Sequence, residues 1–79
     1  MTNKKKYDDI FMDCFFIEKS MLNDKFVYQC VQEWDSVGHM NMIATIEESF
    51  DIMMETDDII DFNSYTKGME ILTKYGIDF

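Results

Sequence analysis

Trp34-Asp35-Ser36-Val37-Gly38-His39-Met40-Asn41-Met42-Ile43 decides how the chain is read. Before it, from Lys25 to Asp35, the apolar residues Phe26, Val27, Tyr28, Cys30, Val31 and Trp34 keep neither a helical nor a strand period. After it they do. Met40, Met42, Ile43, Ile46 and Phe50 share one broad face of a 3.6-residue wheel, which predicts an amphipathic helix from Ser36 to about Phe50 with that face on the core. Ser36 carries a hydroxyl of the kind preferred at an N-cap, so it is expected to cap this helix. Val37, Asn41, Ala44 and Glu48 advance by four, three and four outside the apolar face and are expected to point outward beside Ser36.

Upstream, Met1 to Lys6 is a basic start expected to fray at its tip. Tyr7, Ile10, Cys14, Ile17 and Met21 recur at helical steps, widened by Phe11 and Phe15, and predict a first helix that stops near Asn23-Asp24. The irregular stretch reads as a long loop pinned by its aromatics, because a strand over Phe26 to Val31 has no second strand to pair with. Downstream, Asp51 to Glu55 is a connection. Thr56-Asp57-Asp58 opens a short helix to about Asp61, with acids on the positive end of its dipole. Asn63-Ser64 leads into a last helix through Tyr65, Met69 and Leu72 that Gly76 ends. Gly68 inside that helix implies close packing against a neighbour. The expected fold is all-α, a four-helix bundle of three main helices and one short third helix, forming a single domain over residues 1–79.

A core built from 79 residues supplies only ~3–5 kcal/mol, so a carrier, adaptor or binding module suits the chain better than an enzyme with its own large cavity. Neither a cleavable secretory leader nor an apolar run long enough to cross a bilayer is visible, and the expected setting is the cytosol. Cys14 and Cys30 lack metal spacing and read as buried apolar residues. The net charge of −9 lies wholly between Phe26 and Thr66, where nine acids stand without a Lys or Arg. That argues against nucleic acid and anionic membranes, and for partners with basic patches. Eight methionines suggest a core able to adjust its shape.

Ser36 does not read as a nucleophile. His39 is the only histidine and is expected to be a solvated helix residue, and Trp34 stands where a nucleophile elbow needs its first glycine. A calcium loop beginning at Asp61 fails at Tyr65, Thr66 and Leu72, which stand where an oxygen ligand, a glycine and a bidentate glutamate are required. What remains is a hydroxyl at a helix N-terminus, where the dipole end favours a phosphate ester.

Asp35-Ser36-Val37 followed by Met40, Met42-Ile43, Ile46-Glu47-Glu48 and Phe50 resembles the second helix of acyl carrier proteins, and the likeness runs on through the short third helix to Leu72. The resemblance implies a carrier without catalysis of its own. Ser36 would bear a covalent 4'-phosphopantetheine arm, attached by a phosphopantetheinyl transferase, with Asp35 its neighbour in the motif. The arm's thiol would hold acyl groups as thioesters for acyl-loading and acyl-transferring enzymes with basic docking patches. Val37, Ala44, Glu47 and Glu48 match partner-contact positions, with Asn41 on the same face. Met40, Ile43, Ile46, Phe50, Met54 and Leu72 match positions lining the core or its cleft. Gly38 and Asn41 stand where carriers of fatty-acid synthesis usually have acids. Trp34 and His39 look more like carriers of specialised pathways, of polyketide type or in polysaccharide or lipid acylation. A monomer is expected. The alternative is a small acidic helical adaptor that binds a basic partner without modification.

Overall fold

The structure is a computed structural model that describes residues 2–79. Four helices follow the predicted order: α1 (Asn3–Phe15), α2 (Ser36–Phe50), α3 (Thr56–Asp61) and α4 (Tyr65–Thr73), with a 3-10 turn at Lys19–Met21 between α1 and α2. None of the described helices is long and apolar enough to cross a membrane.

α1 begins earlier and ends earlier than its pattern suggests. Thr2 accepts the Lys5 N–H on its hydroxyl, so Asn3 to Lys6 form the first turn of the helix instead of a frayed start; the Met1 part of that expectation lies outside the described residues. At the other end Phe16 turns left-handed (φ 56°) and stands 81% exposed. Ile17 and Met21 therefore leave the helical stripe. Ile17 and Leu22 pack against the core from either side of the 3-10 turn instead.

α1 and α2 form the main helix pair. Lys6 clamps it by donating to the Ser49 carbonyl (2.9 Å), at the negative end of α2, while its ammonium lies 4.7 Å from the Phe50 ring centroid. α1 meets α4 through buried polar chemistry. Asp8, 2% exposed, accepts from the Tyr65 hydroxyl and from Lys4 (3.2 Å), and Tyr7 donates to the Tyr65 carbonyl (2.6 Å). Burial pushes the Tyr7 phenol well up and, helped by the bond to Asp8, raises that of Tyr65 as well, so both remain donors at neutral pH.

The loop before α2 is ordered as expected, with Phe26 and Trp34 fully buried. It also finds a partner that its sequence does not reveal. Tyr28 N donates to the Asn63 carbonyl (2.8 Å) and Tyr65 N to the Phe26 carbonyl (2.9 Å), a single antiparallel bridge that ties the loop to the start of α4. Ser64 caps α4 by accepting the Lys67 N–H, and Gly76 takes a positive φ just past its end. Cys14 is half-buried and Cys30 is exposed, so only the first approaches the expected apolar role.

Gly68 is where α4 lies closest to its neighbours: a Cβ there would overlap the Phe62 ring and the Tyr7 hydroxyl, both fully buried. Overpacking costs ~1–3 kcal/mol, against ~1 kcal/mol gained from helix propensity. Gly68→Ala is therefore expected to lower the urea unfolding midpoint. A midpoint at or above that of the wild type would contradict this packing.

Candidate functional site

The start of α2 is built by Asp35. Its backbone is extended, its carboxylate accepts the Gly38 N–H (2.8 Å) and its carbonyl accepts the His39 N–H (2.8 Å). Asp35, not Ser36, is thus the N-cap. A charged acceptor one residue earlier takes the amide that the serine hydroxyl was expected to take. Ser36 becomes the first helical residue, with its side chain exposed and its Oγ 3.3 Å from the Tyr28 hydroxyl. Gly38 has a steric reason: a Cβ would land on the Glu33 carbonyl oxygen, because the loop backbone crosses the first turn of α2. No acid can stand there without moving that loop.

His39 is not a solvated residue. Its Nδ1 accepts the Trp34 indole N–H (3.0 Å), so the ring hydrogen resides on Nε2, which donates to the Ile59 carbonyl (2.8 Å). The imidazole stacks on Trp34 (6.3 Å between centroids, 14° between planes) and meets Tyr28 and Phe62 edge-on. Both nitrogens are engaged, which leaves no lone pair to take a proton from Ser36.

Beside Ser36 lies a cleft of about 320 Å³ between α2 and α3, lined by Tyr28, Ser36, His39, Met40, Ile59, Ile60, Phe62 and Asn63. Met42, Ile43 and Ile46 are buried and Phe50 half-buried, as predicted, and Met54 and Leu72 are also in the core. Met40 is the exception. It is 53% exposed, because the six-residue α3 leaves that part of the broad face of α2 uncovered. Ile60, 70% exposed, stands across the cleft.

The outward line is as expected: Val37 (77% exposed), Asn41, Ala44 and Glu48 all face away from the core. Glu47 is half-buried, and its carboxylate accepts the Met54 N–H (2.8 Å), which fixes the connection after α2. Ser36, Val37, Asn41, Ala44 and Glu48 thus share an exposed surface, whereas Glu47 is partly occupied with the fold.

Five cleft residues escaped the sequence reading. Tyr28 sits in the aperiodic loop, and Phe62 and Asn63 lie between α3 and α4, where no pattern assigns a direction. Ile59 and Ile60 carried a usable signal: between Asp57-Asp58 and Asp61 they are the only apolar residues of a short helix. No family model matches the chain, and no curated protein matches it.

The α3 wall is held by Asp58, which accepts from Lys74 Nζ (2.7 Å) and from the Tyr75 hydroxyl (2.6 Å). The Lys74 and Tyr75 bonds lower its pKa. An unfolded aspartate titrates near ~3.9, so Asp58 stabilises the fold above about that pH, and the contribution is lost as pH falls through its lower folded value. Asp58→Asn is expected to be less stable than wild type at neutral pH and to lose less stability on acidification, read from urea midpoints at the two pH values. An equal loss in both proteins would contradict this role.

Proposed function

We propose that the chain is an acyl carrier whose Ser36 is the attachment residue for 4'-phosphopantetheine. The observation that carries the reading is the placement of the Ser36 hydroxyl: exposed, first in a capped fifteen-residue helix, and on the rim of an apolar cleft. The sole histidine beside it has both ring nitrogens engaged, which favours a tether over a nucleophile.

The surroundings suit a phosphodiester-linked arm. Ser36 Oγ is open to a modifying enzyme, and the helix dipole presents roughly half a positive charge at this end. Asp35 already holds the Gly38 and His39 N–H groups, so the favourable field comes from the helix as a whole rather than from those two donors. The arm supplies a thiol that holds an acyl group as a thioester. The protein's own residues do the rest. Asp35 fixes the helix start, Ser36 Oγ would displace adenosine 3',5'-bisphosphate from the pyrophosphate of coenzyme A and give up its hydroxyl proton as the new phosphoester forms, and Met40, Ile59 and Ile60 offer apolar cover beside it.

The exposed surface of Val37, Asn41, Ala44 and Glu48 is the proposed docking face for the phosphopantetheinyl transferase and for acyl-loading and acyl-transferring enzymes with basic patches. Absence of acids at Gly38 and Asn41 favours a specialised pathway over primary fatty-acid synthesis, and a cytosolic monomer is part of the proposal.

Incubation of the unmodified protein with coenzyme A, magnesium and a permissive transferase is expected to add one phosphopantetheine to the intact mass of wild type and none to Ser36→Ala. No added mass on wild type, or equal labelling of the variant, would sink the proposal in favour of an unmodified acidic adaptor. Association with a cognate enzyme is steered by charge, since exposed charges are screened over ~8–10 Å at ordinary ionic strength. Transfer should slow as salt rises and in the Glu48→Lys variant, whose side chain is exposed on this face, and a flat salt series would count against this docking face.

A further inference from the structure

One hydrogen bond joins the two walls of the cleft beside Ser36. His39 on α2 donates from Nε2 to the Ile59 carbonyl of α3, and its orientation is fixed from behind by the Trp34 indole N–H on Nδ1. Behind these groups the core is full. Trp34 and Phe62 are buried to within 1%, and Phe62 is backed by the Tyr7 ring and by Gly68, where not even a methyl group fits. A group entering from the Ser36 side meets Met40, Ile59 and Ile60 at the surface, then the imidazole and Phe62. A cleft of about 320 Å³ lies at the foot of the ~300–1,000 Å³ range of small-molecule sites.

We propose that His39 is a positioning residue that sets the depth of this cleft, so that the acyl group sheltered beside Ser36 is a short one, with further carbons left in water. The choice of an acyl occupant rests on the reading of Ser36 as the tether. The depth limit rests on the imidazole, which the Trp34 and Ile59 hydrogen bonds hold across the floor of the cleft in front of the packed core. Glutamine can fill the same place and reproduce both bonds, offering a carbonyl to Trp34 and an amide N–H to Ile59. Alanine can do neither, and it vacates the volume of the ring at the floor of the cleft.

The test uses Ser36→Ala protein, which takes no arm, and the hexanoyl and dodecanoyl thioesters of N-acetylcysteamine as free probes, followed through the NMR signals of Met40, Ile59, Ile60 and the Trp34 indole N–H. Each buried methylene tightens binding by roughly fourfold, so six added carbons that reached the core would tighten it at least a hundredfold, whereas carbons left in water change it by less than about fivefold. Expected is a hexanoyl probe that shifts the cleft signals while the indole signal stays in place, and a dodecanoyl probe that binds within about fivefold of it. Adding His39→Ala should make room for about two methylenes and favour dodecanoyl by tenfold or more, and His39→Gln should keep the original ratio. Three results would overturn the proposal: no shift of cleft signals with either probe, dodecanoyl preferred by tenfold or more in the His39 protein, or a folded His39→Ala protein with an unchanged ratio. If His39→Ala does not fold, the His39 and His39→Gln proteins still decide, because a preference for dodecanoyl in either contradicts the limit. Modification of wild type by the transferase is read separately by mass, so a failed tether and a failed depth limit give different results.

Discussion

The Trp34 indole is the group on which the arrangement depends. Its ring is wholly buried, stacked on Phe15 of α1 (5.1 Å) and on Phe26 of the loop (5.4 Å), with the Phe11 ring edge-on at 5.6 Å. A buried indole N–H left without a partner costs ~1–3 kcal/mol, and His39 Nδ1 provides the partner. Accepting there forces the imidazole hydrogen onto Nε2, and that hydrogen finds the Ile59 carbonyl. A single tryptophan thereby connects α1, the loop, α2 and α3. Ser36 lies two residues beyond it, and the burial of Trp34 is what sets where the exposed hydroxyl emerges.

A second polar anchor balances the first at the far side of the core. Asp8, Tyr65 and Lys4 satisfy one another between α1 and α4, and Tyr7 adds a bond to the Tyr65 carbonyl. Seven of the fifteen buried apolar side chains are aromatic, and the polar tips of Tyr7, Trp34 and Tyr65 all have partners: among the described residues no buried side-chain nitrogen or oxygen lacks one. The cleft lies between the long α2 and the short α3, with the Phe62 ring between it and the Tyr7 of this anchor. Its two sides are tied by the His39–Ile59 bond, and α3 is held to the end of α4 by Asp58.

Where local chemistry governs, the sequence was legible. α2, α3 and α4 begin and end within about two residues of their expected bounds, because caps, acidic first turns and terminal glycines act within one turn of the chain. The close approach at Gly68 was also readable from a glycine in a helix. The end of α1 was not, since Ile17 and Met21 keep helical spacing although the backbone reverses at Phe16. At the site, the cap of α2 passed from Ser36 to Asp35 because two good capping residues adjoin and only geometry chooses between them. Met40 was assigned to the core because the wheel cannot know that α3 is too short to cover it. His39 was missed for a related reason: its partners, Trp34 and Ile59, come from a loop and a helix that only the fold brings together.

The central claim is that Ser36 holds a group rather than attacking one, and the intact mass of the protein isolated from its native cell tests it most directly. The account predicts a species heavier than the polypeptide by phosphopantetheine, free or acylated, with the added mass on the peptide containing Ser36. Protein isolated wholly at the mass of the bare polypeptide, or a modification confined to another residue, would contradict it.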